Sequence, residues 1–475
     1  MLDILRPAAH KFHAAGRATA LTPPQTRTVR RPSAKLSVVS LYHHEVVIVG
    51  AGVAGLAAMH TLVRAGRSVL CLEARNRIGG RICTHHDPLL PIPVELGAEF
   101  IHGRAREIWE LIEAANLAAY DVLGRAVRIE DGQVLERGDI WERIDRVMED
   151  MRRSAESGPD KSFQEFIEST SHPEDVKRLA SAYVEGFNAA RKEVIGIASL
   201  AHEARASEQI DGDHAFRIFN GYDAIPLYLL HSTPDWPACL HLNTIVERIE
   251  WQSGSVKLSV RSASGNALET IHSRLAILTV PLGVLQCGAI RFEPEPADAL
   301  AAARQLAFGQ VMRVTLRFRD TFWHDQDALA GAGFLLSHHP CFPTWWTTLP
   351  VHTPLITGWS AGPRSDALLG QPRREVIREA IRALAQLLGI QRERLEASLE
   401  QAYFHDWHQD PFARGAYSYA PAGALPARTM LAQPVKDTLF FAGEAAETDG
   451  HSATVHGAIR SGIRAAQLAL QALRN

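Results

Sequence analysis

Cysteine is scarce in this chain: five occur in 475 residues, at positions 71, 83, 239, 287 and 341, and no two form a C-x-x-C pair. So odd and scattered a set supports neither a disulfide framework nor a zinc site, and a reducing, cytoplasmic setting is the expectation. An excess of one charge is missing too. The 50 Lys and Arg stand against 53 Asp and Glu, and a net charge of −3 offers no basic surface for nucleic acid or an anionic membrane. Long apolar runs are few. Residues 46–63 carry no formal charge, which is the lower edge of a spanning length. However, Gly50, Gly52 and Gly55 interrupt that run at phosphate-loop spacing. A buried strand, turn and helix account for it, so no membrane span is expected. Internal repeats and low-complexity linkers are absent as well. What remains is an ordinary globular composition, 46% hydrophobic and 22% charged.

The first forty-two residues differ from the rest. They hold seven basic residues (Arg6, Lys11, Arg17, Arg27, Arg30, Arg31 and Lys35) against the single acid Asp3. A disordered extension is the expectation for 1–42. The Arg30-Arg31 pair leaves a targeting leader open, although only the short LSVVSLY comes after it as an apolar core.

Beyond that point the pattern organises itself. EVVIVGAG is a β-branched run ending in glycines, and VAGLAAMHTLVRAG has helical periodicity with Gly66 as its stop. SVLCLEA is a second strand, which completes a βαβ unit. Residues 106–117, 140–157 and 162–187 show apolar spacing of helical period. Residues 241–262 alternate like strands, and 274–285 read as a buried strand closed by Pro281. VMRVTLRFRDTFW alternates again, 374–389 is helical, and TLFFAGEAAE leads from a strand through a glycine turn into a last helix. Nucleotide-type elements recur along the chain, so interleaved domains are expected. Residues 43–104, 221–290 and 405–475 form a Rossmann-like α/β nucleotide-binding domain. Residues 105–220 and 291–404 form an α+β substrate domain.

Gly50-x-Gly52-x-x-Gly55 lies between a strand and a helix. Glycine is needed there for the tight turn, for backbone approach to a pyrophosphate, and for close helix–strand packing. The helix N-terminus then offers free N–H groups to phosphate. Glu73, at the end of the second strand, can accept from ribose hydroxyls and would repel a 2′-phosphate. That disfavours NADP and does not choose between NAD and FAD.

The residues just after Glu73 make that choice. EARNRIGGR, with Arg75, Gly79, Gly80 and Arg81, resembles the second signature of the flavin-containing amine oxidase family. The resemblance runs from about residue 44 to 470. It includes VELGAEFIHG with Gly97, Ala98, Glu99 and Phe100, VERI with Val246, LFFAGEAAE with Gly443 and Glu444, and TVHGAIRSG beginning at Thr454 and Val455. It implies a fold of the glutathione-reductase/amine-oxidase type that holds FAD on these residues and on Ala54. Arg81 is expected at the pyrophosphate, Val246 at adenine through its backbone, and the last helix against the flavin pyrimidine. It also implies hydride transfer from an amine to flavin N5, imine hydrolysis and reoxidation by O2 with release of H2O2. The partners are then a small amine and O2; oligomeric state is not legible.

Several positions depart from or qualify the family pattern. Arg313 stands where the family usually has a lysine hydrogen-bonded through water to flavin N5, a swap that is not conservative and puts the oxygen step in question. Otherwise Arg313 is an exposed strand residue alternating with Val314. Tyr417 matches one wall of the family's aromatic cage, whereas Thr454 replaces the other. Ala416 replaces the cysteine of members with covalent flavin, so FAD is expected to be non-covalent. His102 resembles a cavity histidine of polyamine-oxidising members, with Phe100 in place of the usual tryptophan. Glu99 could meet a second ammonium, cap a backbone group, or be solvated. His85-His86, His338-His339 and His405 with His408 lack carboxylate or cysteine partners at ligand spacing, so no metal site is expected. A flavin desaturase acting on C–C bonds, kept open by Thr454 and Arg313, and a non-catalytic flavoprotein scaffold are the alternatives.

Overall fold

β1 (His43–Val49), α1 (Val53–Arg64) and β2 (Val69–Leu72) form the expected strand–helix–strand unit at the start of the described chain. The computed structural model describes residues 43–130, 132–135, 140–325 and 329–474. The basic segment 1–42, with the disorder expected of it and its Arg30-Arg31 pair, lies outside the described residues. β1 and β2 pair in parallel and are buried on both faces, as a sheet covered by helices requires. α1 ends at Arg64, with Gly66 just beyond it at φ +75°.

Among the described residues, β1 and β2 belong to an eight-stranded sheet. The strand Ile271–Leu278 lies on the other side of β1 in parallel, and Leu439–Phe441 pairs in parallel with that strand. An antiparallel hairpin, Thr244–Gln252 with Ser255–Ser262, extends the sheet outward. One face carries α1 and the last helix, Val455–Ala472, over Val46, Ile48 and Leu275. The opposite face packs Val47, Val49, Leu278 and Phe441 against Ala299, Ala302 and Leu431.

Among the described residues, a second sheet of seven strands contains Val311–Phe318, Leu355–Ala361, Thr344–Thr347, Ala332–Leu336 and Arg125–Glu130 in that spatial order. The helix Arg373–Leu388 covers one face through Val376, Ala380 and Leu384. Two expectations need correction here. Val311–Phe318 alternates in sequence but is buried at every position, because helix covers one face and cavity-lining residues the other; Arg313 is therefore buried, not an exposed strand residue. The helical stretch 162–187 divides into Phe163–Glu168 and Glu174–Asn188, with Pro173 as the cap of the second helix. Pro173 fixes an extended φ/ψ at the break, and Ser162 with Glu165 forms a capping box that starts the first helix.

Candidate active site

A continuous cavity of ≈ 1120 Å³ runs from the glycine loop after β1 to the second sheet. Every site residue expected from the sequence lines it except Gly55. Gly55 serves packing instead: a Cβ there would sit 1.9 Å from the Gly50 carbonyl oxygen, so the helix can approach the strand only without a side chain.

The cradle is built mainly from backbone. α1 starts at Gly52 with no side-chain cap and no acid in its first turn, so its leading N–H groups, around Val53 and Ala54, stay available at the cavity wall. Glu73 is buried, and its two carboxylate oxygens accept from the backbone N–H of Ala51 (2.8 Å) and Arg75 (2.9 Å). Each oxygen keeps a lone pair for a ribose hydroxyl. Gly79 and Gly80 have an additional use: Gly79 N–H donates to Ala51, and Gly80 lies against Gly52, where a Cβ would come within 3.3 Å of the Gly52 Cα. The second glycine pair thus docks backbone to backbone on the phosphate loop. Arg75 is tied to Asp410 at 2.7 Å and lies over Phe412. Between Val246 and Arg248 the hairpin register slips, which disrupts the ladder at the cavity wall.

The far side of the cradle comes from the chain's C-terminal quarter. Gly443 takes φ +119°, and the buried Glu444 gathers Arg81 at 2.9 Å, the Ser418 hydroxyl at 2.7 Å and the Ala453 N–H at 3.3 Å. Burial alone would raise Glu444, but Arg81 and Arg428 outweigh it and hold the carboxyl below its ordinary range. Arg81 also donates to the Ala416 carbonyl at 2.6 Å. Thr454 is a helix cap: its hydroxyl accepts from Gly457 N–H at 3.0 Å and donates to the His451 carbonyl. The absent aromatic at that position is thus exchanged for a capped helix end facing the cavity.

Glu99 occupies the junction of the two sheets. It accepts from Arg217 Nε at 2.6 Å, Arg313 Nη2 at 2.5 Å and Trp346 Nε1 at 3.1 Å. Arg313 also donates to the Gly97 carbonyl at 2.9 Å, and the Arg217 guanidinium reaches the Leu349 and Thr347 carbonyls. Burial would raise the Glu99 pKa, but Arg217 and Arg313 hold it low. Glu99 is thus saturated by protein cations and is neither solvated nor free for a substrate ammonium. Arg217 was not legible as a partner, since it lies 118 residues from Glu99 with no local signal.

Beyond Glu99 the walls turn aromatic, with Phe100, Phe187, Trp346, Trp359 and Tyr417. The Tyr417 hydroxyl donates to the Phe187 carbonyl at 2.8 Å, and burial raises its pKa. Tyr417→Phe should cost about 1 kcal/mol in denaturant unfolding, because the Phe187 carbonyl loses this side-chain donor. An unchanged midpoint would mean that this hydrogen bond contributes nothing.

The His102 ring packs against Phe187 and Phe100, its Nδ1 has no partner, and burial pushes its pKa down to about 4. Its ordinary value is 6.5, so below that pH the unfolded chain binds a proton that the folded chain refuses. Stability should therefore fall with pH from about 6.5 toward 4, by about 2 kcal/mol at pH 5. Denaturation of parent and His102→Gln at pH 7 and pH 5 checks this; equal losses in both would reject it. A second buried pair lies nearby, His456 Nε2 and His451 Nδ1 at 3.3 Å.

The remaining histidines need correction. His86 meets Asp223 at 2.9 Å, His338 meets Glu130 at 3.2 Å, His339 meets Glu379 at 3.8 Å and His405 meets Asp410 at 2.8 Å. Sequence spacing concealed these carboxylates because they come from other elements or adjoining turns. Among the described residues no three His, Cys, Asp or Glu converge as a metal set, and no helix is long and apolar enough to cross a membrane.

A glycine cradle with an acid-ended second strand, opening on an aromatic chamber, is the architecture of a dinucleotide-binding flavoprotein fold. Residues 53–470 match the profile of the flavin-containing amine oxidoreductases. The chain belongs to that family. Lysine-specific histone demethylase 1 homolog 3 of Arabidopsis thaliana is 28% identical over 501 residues, covering 91% of this chain and 30% of that protein. A homolog 2 from Oryza sativa subsp. japonica is 29% identical, and this chain spans 57% of it. The chain thus covers less than two thirds of these demethylase relatives. Polyamine oxidase 4 of the same rice is 26% identical over 464 residues, covering 89% of this chain and 87% of the relative. Among solved structures, a putrescine oxidase bound to putrescine superposes with TM-score 0.75 at 21% identity, over 90% of this chain and 98% of that one. Cyclohexylamine oxidase from Brevibacterium oxydans also gives 0.75, at 23% identity, over 91% and 100%. These two likenesses concern the fold.

Proposed function

We propose that this protein oxidises a carbon–nitrogen bond: an amine binds as the free base, the carbon beside nitrogen gives up a hydride, and water hydrolyses the imine to a carbonyl compound. FAD, when bound, supplies the hydride acceptor at N5 and returns the two electrons to O2 as hydrogen peroxide. The observation that carries the reading is the continuity of one cavity from the phosphate loop to the aromatic chamber. Glu73 and the open N-terminus of α1 suit the adenosine and pyrophosphate ends of FAD; Gly443 and the Thr454-capped helix suit its flavin end.

The chamber's part is desolvation. Phe187, Trp346, Trp359 and Tyr417 surround the amine with low-polarity surface, which disfavours the ammonium form and leaves the nitrogen lone pair to stabilise positive charge growing on carbon. Arg313 keeps a cation at the expected lysine's position, but Glu99 and the Gly97 carbonyl anchor it and neutralise its charge. Ala416 has no nucleophile, so the flavin is held without a covalent bond. Peroxide release across a panel of mono-, di- and polyamines tests the reaction, and zero turnover on all of them would reject it. Acid precipitation tests the cofactor: flavin should pass to the supernatant, and colour retained in the pellet would mean a covalent link elsewhere.

A further inference from the structure

Past the aromatic chamber the cavity is lined by the helix Glu174–Asn188, the strand Arg125–Glu130 and the segment around Arg364. The cations that line it there are Arg125, Arg128, Arg178, Lys192 and Arg364. Arg128 is paired with Glu130 at 2.5 Å and touches His338, while Arg125 donates to the Ala330 carbonyl. Arg364 donates to a backbone carbonyl, that of His339, at 3.1 Å. Arg178 and Lys192 have no carboxylate within ion-pair distance among the described residues. Of the carboxylates lining the cavity, Glu185 lies on this side and is raised by burial, whereas Glu203 is held by the hydroxyls of Ser199 and Ser452 and faces Arg428 at the cradle end. The cations are close enough to act together: Arg128, Arg364 and Arg178 all press on His338, and Lys192 and Arg364 both act on Glu185. Between this end and the chamber, the Tyr183 hydroxyl is buried with no hydrogen bond, on a ring stacked against Phe187 at 5.8 Å.

This arrangement is wrong for a polycation. A second or third ammonium reaching out of the chamber would meet Arg178, Lys192 and Arg364, and the nearby Glu185 already faces two of these three cations. We infer that the substrate is an amine whose far end carries an anionic group, carboxylate or phosphate, received by Arg178, Lys192 and Arg364 with the Tyr183 hydroxyl beside them. Guanidinium forks suit either anion, and an unpaired buried donor gains by meeting one. The inference rests on the amine-oxidase reading and narrows its substrate class, away from the polyamines named in its relatives.

The test uses the flavin-loaded protein and length-matched alkylamines, α,ω-diamines, ω-amino carboxylates and ω-aminoalkyl phosphates. Flavin reduction gives kcat/KM, and non-oxidisable alkyl carboxylates, alkyl phosphates and alkyltrimethylammonium ions are titrated against the flavin absorption band. The anionic amines should exceed the diamines by about tenfold or more, with the better of the two series naming the anion. Arg178→Glu combined with Arg364→Glu should reverse that order; Arg178 is exposed, and Arg364→Gln alone, which should narrow the preference, guards against a double variant that does not fold. Diamines outperforming the anionic amines would overturn the inference and leave amine oxidation standing. If no amine reduces the flavin, amine oxidation fails, and the titrations decide this inference alone. Tighter binding of the alkyl anions, weakened by charge reversal, supports it; equal or tighter binding of the ammonium ion overturns it.

Discussion

Replacing Glu99 by leucine should destabilise the protein by about 3–5 kcal/mol, because it strands two buried guanidinium groups around an apolar side chain. Arg217 and Arg313 are each under a tenth exposed, and each directs a nitrogen at Glu99. Beyond Glu99, Arg217 meets the Thr347 and Leu349 carbonyls, the Tyr120 hydroxyl and the Phe100 ring, 4.9 Å from its guanidinium carbon. These are dipoles and a quadrupole, which cannot replace a full negative charge. Glu99→Gln keeps the shape and an acceptor, so it should cost less than the leucine variant. The second part of the prediction is coupling: Arg313→Met should cost much less when Glu99 is already leucine than in the parent, since the isolated cation is then removed. A double-mutant cycle in denaturant measures this directly. Additive losses, or a leucine variant within about 0.5 kcal/mol of the parent, would show the cluster to be energetically idle.

The second large effect is expected at a position that touches no ligand. Gly55→Ala adds one carbon, which would sit 1.9 Å from the Gly50 carbonyl and 3.0 Å from the Thr279 hydroxyl. Neither neighbour can yield freely. Gly50 is the first glycine of the phosphate loop, and the Thr279 hydroxyl already donates to the Val49 and Gly50 carbonyls. Relief requires α1 to move off the strand, and the leading N–H groups of α1 move with it. Overpacking of this kind costs about 3 kcal/mol, and here it should appear chiefly as lost flavin. Purified Gly55→Ala should carry far less visible flavin absorbance per protein than the parent and should regain little with added FAD. Full occupancy in the variant would mean that the loop tolerates the displacement and that the close contact is not what positions the cradle.

The two sites differ in how far the sequence revealed them. The cradle could be read because its physics is local. A tight turn needs glycine, a helix must start within a few residues of it, and an acid must end the next strand; all of this lies in about thirty consecutive positions. The EARNRIGGR run could be noticed for the same reason, although its glycines turn out to meet the phosphate loop's backbone. Apolar periodicity likewise placed α1, β1 and the last helix. It failed at Val311–Phe318, where alternation suggested one wet face. A strand's pattern records which residues it carries, not what will later cover them.

The chain's own order of residues therefore determined the nucleotide-binding unit and the family. Tertiary structure alone decided the charges. Glu99 meets Arg313 across 214 positions and Arg217 across 118, and Arg81 meets Glu444 across 363. Arg128, Arg178, Lys192 and Arg364 reach one end of the cavity from separate elements. An isolated charge in a sequence has no sign of its partner, because Coulomb energy depends on distance and burial, and chain spacing fixes neither.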